Sequence, residues 1–112
     1  MAMVERVGVV GAGTMGAGIG QLAALGGFET VLYDLDGKAL DRGMRQVRES
    51  LRRGSESGRW SEEDATRALA RIRSDLILEV LKDCDLVVEA APERLDLKRD
   101  LFVQLARVCR PG

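Results

Sequence analysis

The sequence predicts an α/β fold in which a parallel sheet carries helices on both of its faces. Short apolar runs rich in β-branched residues, at 7–10, 30–33 and 85–91, alternate with longer amphipathic stretches. Strands that alternate with helices favour parallel strands joined by crossover connections. A chain of 112 residues has room for one small domain of this kind.

The first predicted strand, residues 7–10, runs into a glycine-rich turn and then into a helix. Glycines at 11, 13 and 16 fill a G-x-G-x-x-G frame. In this frame Gly11 permits a sharp turn, Gly13 leaves room for a pyrophosphate, and Gly16 lets the helix pack closely on the sheet. The start of the helix adds unpaired N–H groups and partial positive charge. We therefore predict that this turn binds a dinucleotide through Gly11, Ala12, Gly13, Thr14, Met15 and Gly16.

The second predicted strand, residues 30–33, ends in an acidic residue, Asp34, which lies 18 residues after Gly16. The dinucleotide fingerprint places an acid about 20 residues after the glycines, where it accepts hydrogen bonds from ribose hydroxyls. A carboxylate repels the 2′-phosphate of NADP, and the next residue, Leu35, is not an arginine. The pattern predicts NAD as the cofactor. Glycines alone also form ordinary turns, so the prediction depends on this acid.

Composition and charge narrow the classes of partner. The 17 basic and 18 acidic residues leave a net charge of −1, and no basic patch predicts a nucleic-acid partner. No apolar run approaches the roughly 20 residues that span a bilayer, and no apolar signal region opens the chain. We expect no membrane partner and a cytoplasmic protein. Cys84 and Cys109 lack metal-ligand spacing, so no metal site is predicted and both thiols are expected to be reduced.

After Asp34 the sequence predicts a helical hairpin in place of a single crossover helix. Residues 37–53 carry apolar side chains on one helical face, and the glycine- and serine-rich residues 54–58 predict a loop. Ser61, with Asp64 three residues later, is typical of a helix start. An insertion of this size in a small domain often carries substrate contacts.

The second half of the chain predicts a return to the sheet. We expect a short third strand over 72–75, a brief helix over 76–82, a buried parallel strand over 85–91, and a helix over about 93–108. Ligands of parallel sheets bind at the carboxyl ends of the strands. Ala91 lies at such an end, as the glycine turn and the acid do, and is predicted to contact the cofactor.

Three segments together resemble a known family. The turn at 11–19, the strand end at 32–34 and the segment at 88–93 are similar to the NAD-binding domain of the 3-hydroxyacyl-CoA dehydrogenases, which include the 3-hydroxybutyryl-CoA enzymes. The resemblance covers nearly the whole chain, hairpin included, and its most specific part is the Glu-Ala-Ala-Pro-Glu turn at 89–93. It implies a Rossmann-type fold. It also implies an enzyme of fatty acid β-oxidation or 3-hydroxybutyryl-CoA metabolism that interconverts 3-hydroxyacyl-CoA and 3-oxoacyl-CoA by hydride transfer to NAD.

The resemblance also implies roles for single residues. Glu93 would contact the nicotinamide ribose, Lys98 would lie close to the cofactor, and Ser50 would contact the coenzyme A part of an acyl-CoA substrate. An alternative without a binding role remains for both residues. Glu93 would then be an ordinary acidic residue in the first turn of a helix, and Lys98 an ordinary solvated helix residue. Three arginines near Ser50 form either a solvated basic face or a group that attracts the phosphates of coenzyme A, and they are Arg48, Arg52 and Arg53.

No catalytic residue is predicted within the 112 residues. The chain contains no histidine, which is the commonest general acid or base. The resemblance implies that the family's catalytic histidine, its partner residues and a helical dimerisation domain follow residue 112. We therefore expect residues 1–112 to form a C-terminally incomplete NAD-binding Rossmann domain, inactive by itself, from a parent that forms a homodimer through the missing domain.

Two alternatives remain from the sequence. The β-hydroxyacid dehydrogenases, such as 6-phosphogluconate dehydrogenase, share the glycine-rich start and often prefer NADP, but they lack the long hairpin before the third strand. A non-catalytic module that senses NAD would also need no histidine. The hairpin distinguishes the first alternative. The coding sequence beyond Gly112 distinguishes the second, because an Asn-Thr-Ser-like strand end and a downstream histidine would favour the enzyme.

Overall fold

The computed structural model describes residues 4–90. The elements in chain order are β1 (Arg6–Val10), α1 (Thr14–Leu25), β2 (Glu29–Tyr33), α2 (Gly37–Glu56), α3 (Glu62–Arg71), β3 (Ile72–Asp75), a 3-10 helix (Leu78–Asp83) and β4 (Leu86–Glu89). The predicted Ala91, Glu93 and Lys98 contacts, and the predicted helix over 93–108, lie outside the described residues.

The four described strands form one parallel sheet in the order β3-β2-β1-β4. Val9 of β1 is in register with Leu32 of β2 and with Val88 of β4. The strand order therefore reverses at β1, because the chain first builds outward through β2 and β3 and then returns to the other side of β1. Such a reversal is the place where open parallel sheets bind their ligands. The predicted parallel α/β architecture is confirmed.

The two faces of the sheet are covered by different elements. On one face Val9 and Leu32 pack with Leu40 of α2 and with apolar residues of α1. On the opposite face Tyr33, together with its neighbours in β1 and β2, packs against Leu81 of the 3-10 helix. Within residues 4–90 the three α-helices thus lie on one face and the shorter 3-10 helix covers the other.

The fully buried side of helix α1 consists of small residues. Its buried positions include Gly16, Ala17 and Ala24, whereas Met15 is 69% exposed and Leu22 is 68% exposed. Small side chains let α1 approach the sheet and the hairpin closely. The predicted helix is present, and among its larger apolar residues Ile19 and Leu25 pack against the core only in part.

The hairpin after β2 has a longer first helix than the sequence predicted. Helix α2 continues past the predicted end at residue 53 to Glu56. The reason is Trp60, whose ring packs against Gly54 and whose Nε1 donates a hydrogen bond to the Leu51 carbonyl oxygen at 2.9 Å. Helix α3 begins as predicted, because the Ser61 hydroxyl accepts a hydrogen bond from the backbone N–H of Asp64 at 3.0 Å.

The remaining elements lie close to their predicted positions. Strand β3 matches its predicted bounds, while the predicted helix over 76–82 is the 3-10 helix, which begins two residues later. Asp75 delays it by accepting a hydrogen bond from the Ile77 N–H at 2.9 Å, which forms a local turn. Strand β4 is shorter than the predicted run over 85–91 and half-buried. In the part of the chain from residue 4 to residue 90, no helix is long and apolar enough to cross a membrane.

Candidate functional site

The glycine-rich turn begins at a position whose backbone conformation favours glycine. Gly11 has a φ of 106°, in a region that residues with a Cβ atom rarely adopt. Its N–H donates a hydrogen bond to the Tyr33 carbonyl oxygen at 2.8 Å, so the turn leaves β1 while it is still bonded to β2. The turn therefore starts at the carboxyl edge of the sheet, where the strand order reverses.

The helix after the turn begins in direct contact with the turn itself. A Cβ placed on Gly16 would lie 1.7 Å from the Gly11 carbonyl oxygen and 3.6 Å from the Ala90 Cβ. No side chain fits there without displacing the backbone of the turn. The close packing that the sequence predicted for the third glycine of the frame is therefore confirmed.

The middle glycine, by contrast, faces open space among the residues that the structure describes. A Cβ on Gly13 would meet no atom of residues 4–90 within 4 Å, and Gly13 is the N-cap of α1. Within the same residues no side chain caps this helix start, and its first turn contains no acidic residue. The Ala17 N–H donates a hydrogen bond to the Gly13 carbonyl oxygen at 2.9 Å, whereas the N–H groups of Thr14, Met15 and Gly16 precede the first bond within the helix and can face an anion.

The predicted acid lies directly beside the glycine turn. Asp34 accepts a hydrogen bond from the Ala12 N–H at 2.9 Å through Oδ2, and one from the Asp36 N–H at 2.9 Å through Oδ1. A carboxylate has about four acceptor positions, so two hydrogen bonds leave capacity for ribose hydroxyls. The next side chain, Leu35, is exposed and offers no positive charge to a 2′-phosphate.

The residue before this acid is a buried tyrosine. Burial raises the pKa of Tyr33, and the nearby carboxylates of Asp34 and Glu79 raise it further. The phenol therefore stays neutral at physiological pH. It adds no charge to the site.

The predicted substrate residue lies on α2, and two of the arginines near it have different surroundings. Ser50 is half-buried on α2. Arg52 is ion-paired with Glu49 and, at 2.6 Å, with Glu56. Arg48 instead lines a cavity between α2 and β3, and the other residues of that lining include Arg45, Arg73 and Ser74. Arg52 therefore has carboxylate partners within its own helix, whereas Arg48 lies in a basic cavity.

A turn with an open helix start, joined to a carboxylate at the end of the second strand, defines a Rossmann-type dinucleotide-binding domain. The family model described as "3-hydroxyacyl-CoA dehydrogenase, NAD binding domain" matches residues 6–112. The chain belongs to the 3-hydroxyacyl-CoA dehydrogenase family, and its matched region is the family's NAD-binding domain. NAD is accordingly the cofactor, and the open space at Gly13 and the acceptor capacity of Asp34 fit it.

Curated relatives of the chain are longer dehydrogenases. The 3-hydroxybutyryl-CoA dehydrogenase of Bradyrhizobium diazoefficiens is 43% identical over 110 residues, which are 98% of this chain and 38% of the relative. The 3-hydroxyadipyl-CoA dehydrogenase of Escherichia coli is 41% identical over 111 residues, which are 99% of this chain and 23% of the relative. The chain therefore spans well under half the length of these relatives.

Solved structures of similar proteins share the fold closely. The chain superposes on (S)-3-hydroxybutyryl-CoA dehydrogenase PaaH1 from Ralstonia eutropha with a TM-score of 0.91 and 38% identity, over 96% of this chain and 38% of that one. For M. tuberculosis FadB2 the TM-score is 0.94 with 34% identity, over 98% of this chain and 39% of that one. The Rossmann-type architecture predicted from the sequence is confirmed.

One residue that contacts the glycine turn was not predicted from the sequence. Gln46 of α2 donates a hydrogen bond from Nε2 to the Thr14 carbonyl oxygen at 3.0 Å. A single glutamine in an amphipathic helix carries no sequence signal, because polar residues on such helices usually face solvent. Its contact with the turn is visible only in three dimensions.

Proposed function

We propose that this chain forms the NAD-binding part of an enzyme that interconverts 3-hydroxyacyl-CoA and 3-oxoacyl-CoA. The observation that carries the proposal is the open space at Gly13 beside the Asp34 carboxylate, in a chain of the 3-hydroxyacyl-CoA dehydrogenase family. The activity is that of a longer protein, because the relatives named for it are more than twice as long as this chain. When bound, NAD supplies the hydride chemistry.

The described residues have three separate tasks in this function. The N–H groups at the start of α1 bind the pyrophosphate, since that helix end is uncapped and open. Asp34 accepts hydrogen bonds from the adenosine ribose hydroxyls, and its negative charge repels the 2′-phosphate of NADP. Gly11 and Gly16 maintain the tight turn that brings these groups together.

Further contacts belong to the same proposal. Ala91, Glu93 and Lys98 line the cofactor on the nicotinamide side, and Ser50 contacts the coenzyme A part of the substrate. Their support is the match to the family over residues 6–112. No described residue takes the part of the catalytic base.

The proposal extends to the whole protein from which these residues come. Residues 1–112 act as a C-terminally incomplete NAD-binding domain, with the catalytic residues and a dimerisation domain elsewhere in a homodimeric parent. The length of the relatives supports this division. A cytoplasmic location stays a prediction from the sequence.

The alternatives differ from this proposal in testable ways. The hairpin of α2 and α3 counts against the β-hydroxyacid dehydrogenase alternative, because that class lacks such a long insertion before its third strand. A non-catalytic NAD sensor would share the binding site described above. Only activity of a protein that contains the complete catalytic machinery separates the sensor from the enzyme.

The direct test is a cofactor titration of the 112-residue chain by calorimetry. We expect binding of NAD and NADH, weaker binding of NADPH by at least about tenfold, and no oxidation of 3-hydroxybutyryl-CoA by this chain alone. A chain that prefers NADPH, or that binds neither cofactor, would overturn the proposed function. Measurable turnover by the chain would contradict the absence of a catalytic base from residues 1–112.

A further inference from the structure

Helix α2 touches the glycine turn on both sides of Gly13. A Cβ placed on Gly43 would lie 2.7 Å from the Ala12 carbonyl oxygen, so the backbone of α2 passes directly over that peptide group. Three residues later, the Gln46 side chain donates its hydrogen bond to the Thr14 carbonyl oxygen at 3.0 Å. Residues three apart share one side of a helix. One side of α2 therefore contacts the two carbonyl groups that flank the open position.

These two carbonyl groups control the direction of the N–H groups that an anion would meet. A peptide unit is planar and trans, so its N–H points opposite to its C=O. The Ala12 carbonyl shares a peptide unit with the Gly13 N–H, and the Thr14 carbonyl shares one with the Met15 N–H. The hydrogen bond from Gln46 thereby acts on the direction of the Met15 N–H, while the close approach of Gly43 limits how far the Ala12 carbonyl can move.

The chemistry of the side chain suits this task. The Gln46 amide is uncharged and donates to a carbonyl oxygen, so it orients the turn without adding a charge that competes with the pyrophosphate. A glutamate at this position would place an acceptor against the carbonyl and a negative charge near the anion site. The bond is also exposed to solvent, so its loss leaves no buried unsatisfied group.

We propose that Gln46 is a positioning residue for NAD, which orients the Met15 N–H at the start of α1 from the carbonyl side of its peptide unit. This inference rests on the proposed function, because it assigns a role within the NAD site. It adds a contribution from the hairpin to a site otherwise built by the first strand, the first helix and Asp34. Preorganised donors bind an anion more tightly than donors that must first be ordered.

The test measures the NAD dissociation constant of Gln46→Ala and Gln46→Glu by calorimetry. We expect Gln46→Ala to weaken binding about threefold to tenfold, the loss typical of one neutral hydrogen bond, and Gln46→Glu to weaken it at least as much. ADP-ribose should lose the same factor as NAD, because it carries the same pyrophosphate and no nicotinamide. A general loosening of the fold would instead lower the midpoint of thermal unfolding, which we expect to stay unchanged.

The matched control is Thr66→Ala in α3. Thr66 also donates a side-chain hydrogen bond to a backbone carbonyl, that of Glu62, at 3.0 Å, but away from the turn. The NAD affinity of the Thr66→Ala variant should equal that of the unmodified chain. If the unmodified chain binds NAD and either Gln46 variant binds it equally well, the inference is overturned and the proposed function stands. If the unmodified chain does not bind NAD, the proposed function fails.

Discussion

Asp34 joins the two strands that build the site. Its carboxylate accepts one hydrogen bond from an N–H of the glycine turn and one from an N–H at the start of α2. It therefore orders the turn before any ligand binds. The spacing from Gly16 was enough to predict where this acid lies. Its role in ordering the turn was not predictable, because that role depends on a hydrogen bond between Ala12 and Asp34, which are 22 positions apart in the chain.

The choice between NAD and NADP is decided by Asp34 and the residue after it. We expect Asp34→Ser combined with Leu35→Arg to reverse the preference, since the hydroxyl no longer repels a 2′-phosphate and the guanidinium attracts it. Loss of a charged acceptor for the ribose hydroxyls should weaken NAD by about 10- to 100-fold, as expected for about 1.5–3 kcal/mol. Parallel titrations with NADH and NADPH measure both effects.

The control for this pair is Leu35→Arg alone. It should keep the preference for NADH, because the carboxylate of Asp34 still repels the 2′-phosphate. If the double variant retained the original preference as well, the assignment of Asp34 to the adenosine ribose would be wrong.

At the level of elements, apolar periodicity predicted which segments form helices better than it predicted how they pack. In α2 the two agree, and Leu40, Val47 and Leu51 are buried as expected. In α1 they disagree, because close contact with the sheet requires glycine and alanine on the packed side.

The end of α2 shows a similar limit of prediction from the sequence. Gly54 has the composition of a loop, but the ring of Trp60, six residues later, covers it and allows the helix to continue.

The contact between Gly54 and Trp60 contributes to the free energy of unfolding, and we do not expect it to affect NAD binding. A Cβ at Gly54 would lie 2.0 Å from a ring carbon of Trp60. Gly54→Ala should therefore lower the free energy of unfolding by about 1–3 kcal/mol, the usual effect of overpacking. Urea denaturation measures this change, and Ser55→Ala at the next position should change it by no more than about 0.5 kcal/mol. An unfolding free energy that is unchanged in Gly54→Ala would show that the ring does not pack there.

At the level of the whole molecule, the strand order β3-β2-β1-β4 explains why the site lies where it does. The carboxyl ends of β1 and β2 bring Gly11 and Asp34 together, and the strand order reverses at β1, which is where open parallel sheets bind their ligands. Alternation of strands and helices predicts the parallel sheet and its crossover connections, whereas the order of the strands comes from the structure. The contact of the hairpin with the turn was not predictable, because it depends on how closely α2 crosses the sheet.

The most direct test of the dinucleotide site compares Gly13→Ala with Gly18→Ala. At both positions no atom of residues 4–90 lies where the new methyl group would be, and the φ of −68° and ψ of −174° at Gly13 suit any residue. Neither variant should lower the free energy of unfolding by more than about 1 kcal/mol, because no protein atom is displaced.

The two variants should differ only in their affinity for NAD. We expect Gly13→Ala to weaken NAD binding by at least about tenfold in calorimetry, since its methyl group occupies the approach of the pyrophosphate, while Gly18→Ala binds NAD like the unmodified chain. Equal NAD affinity in all three proteins would contradict a pyrophosphate site at the glycine turn.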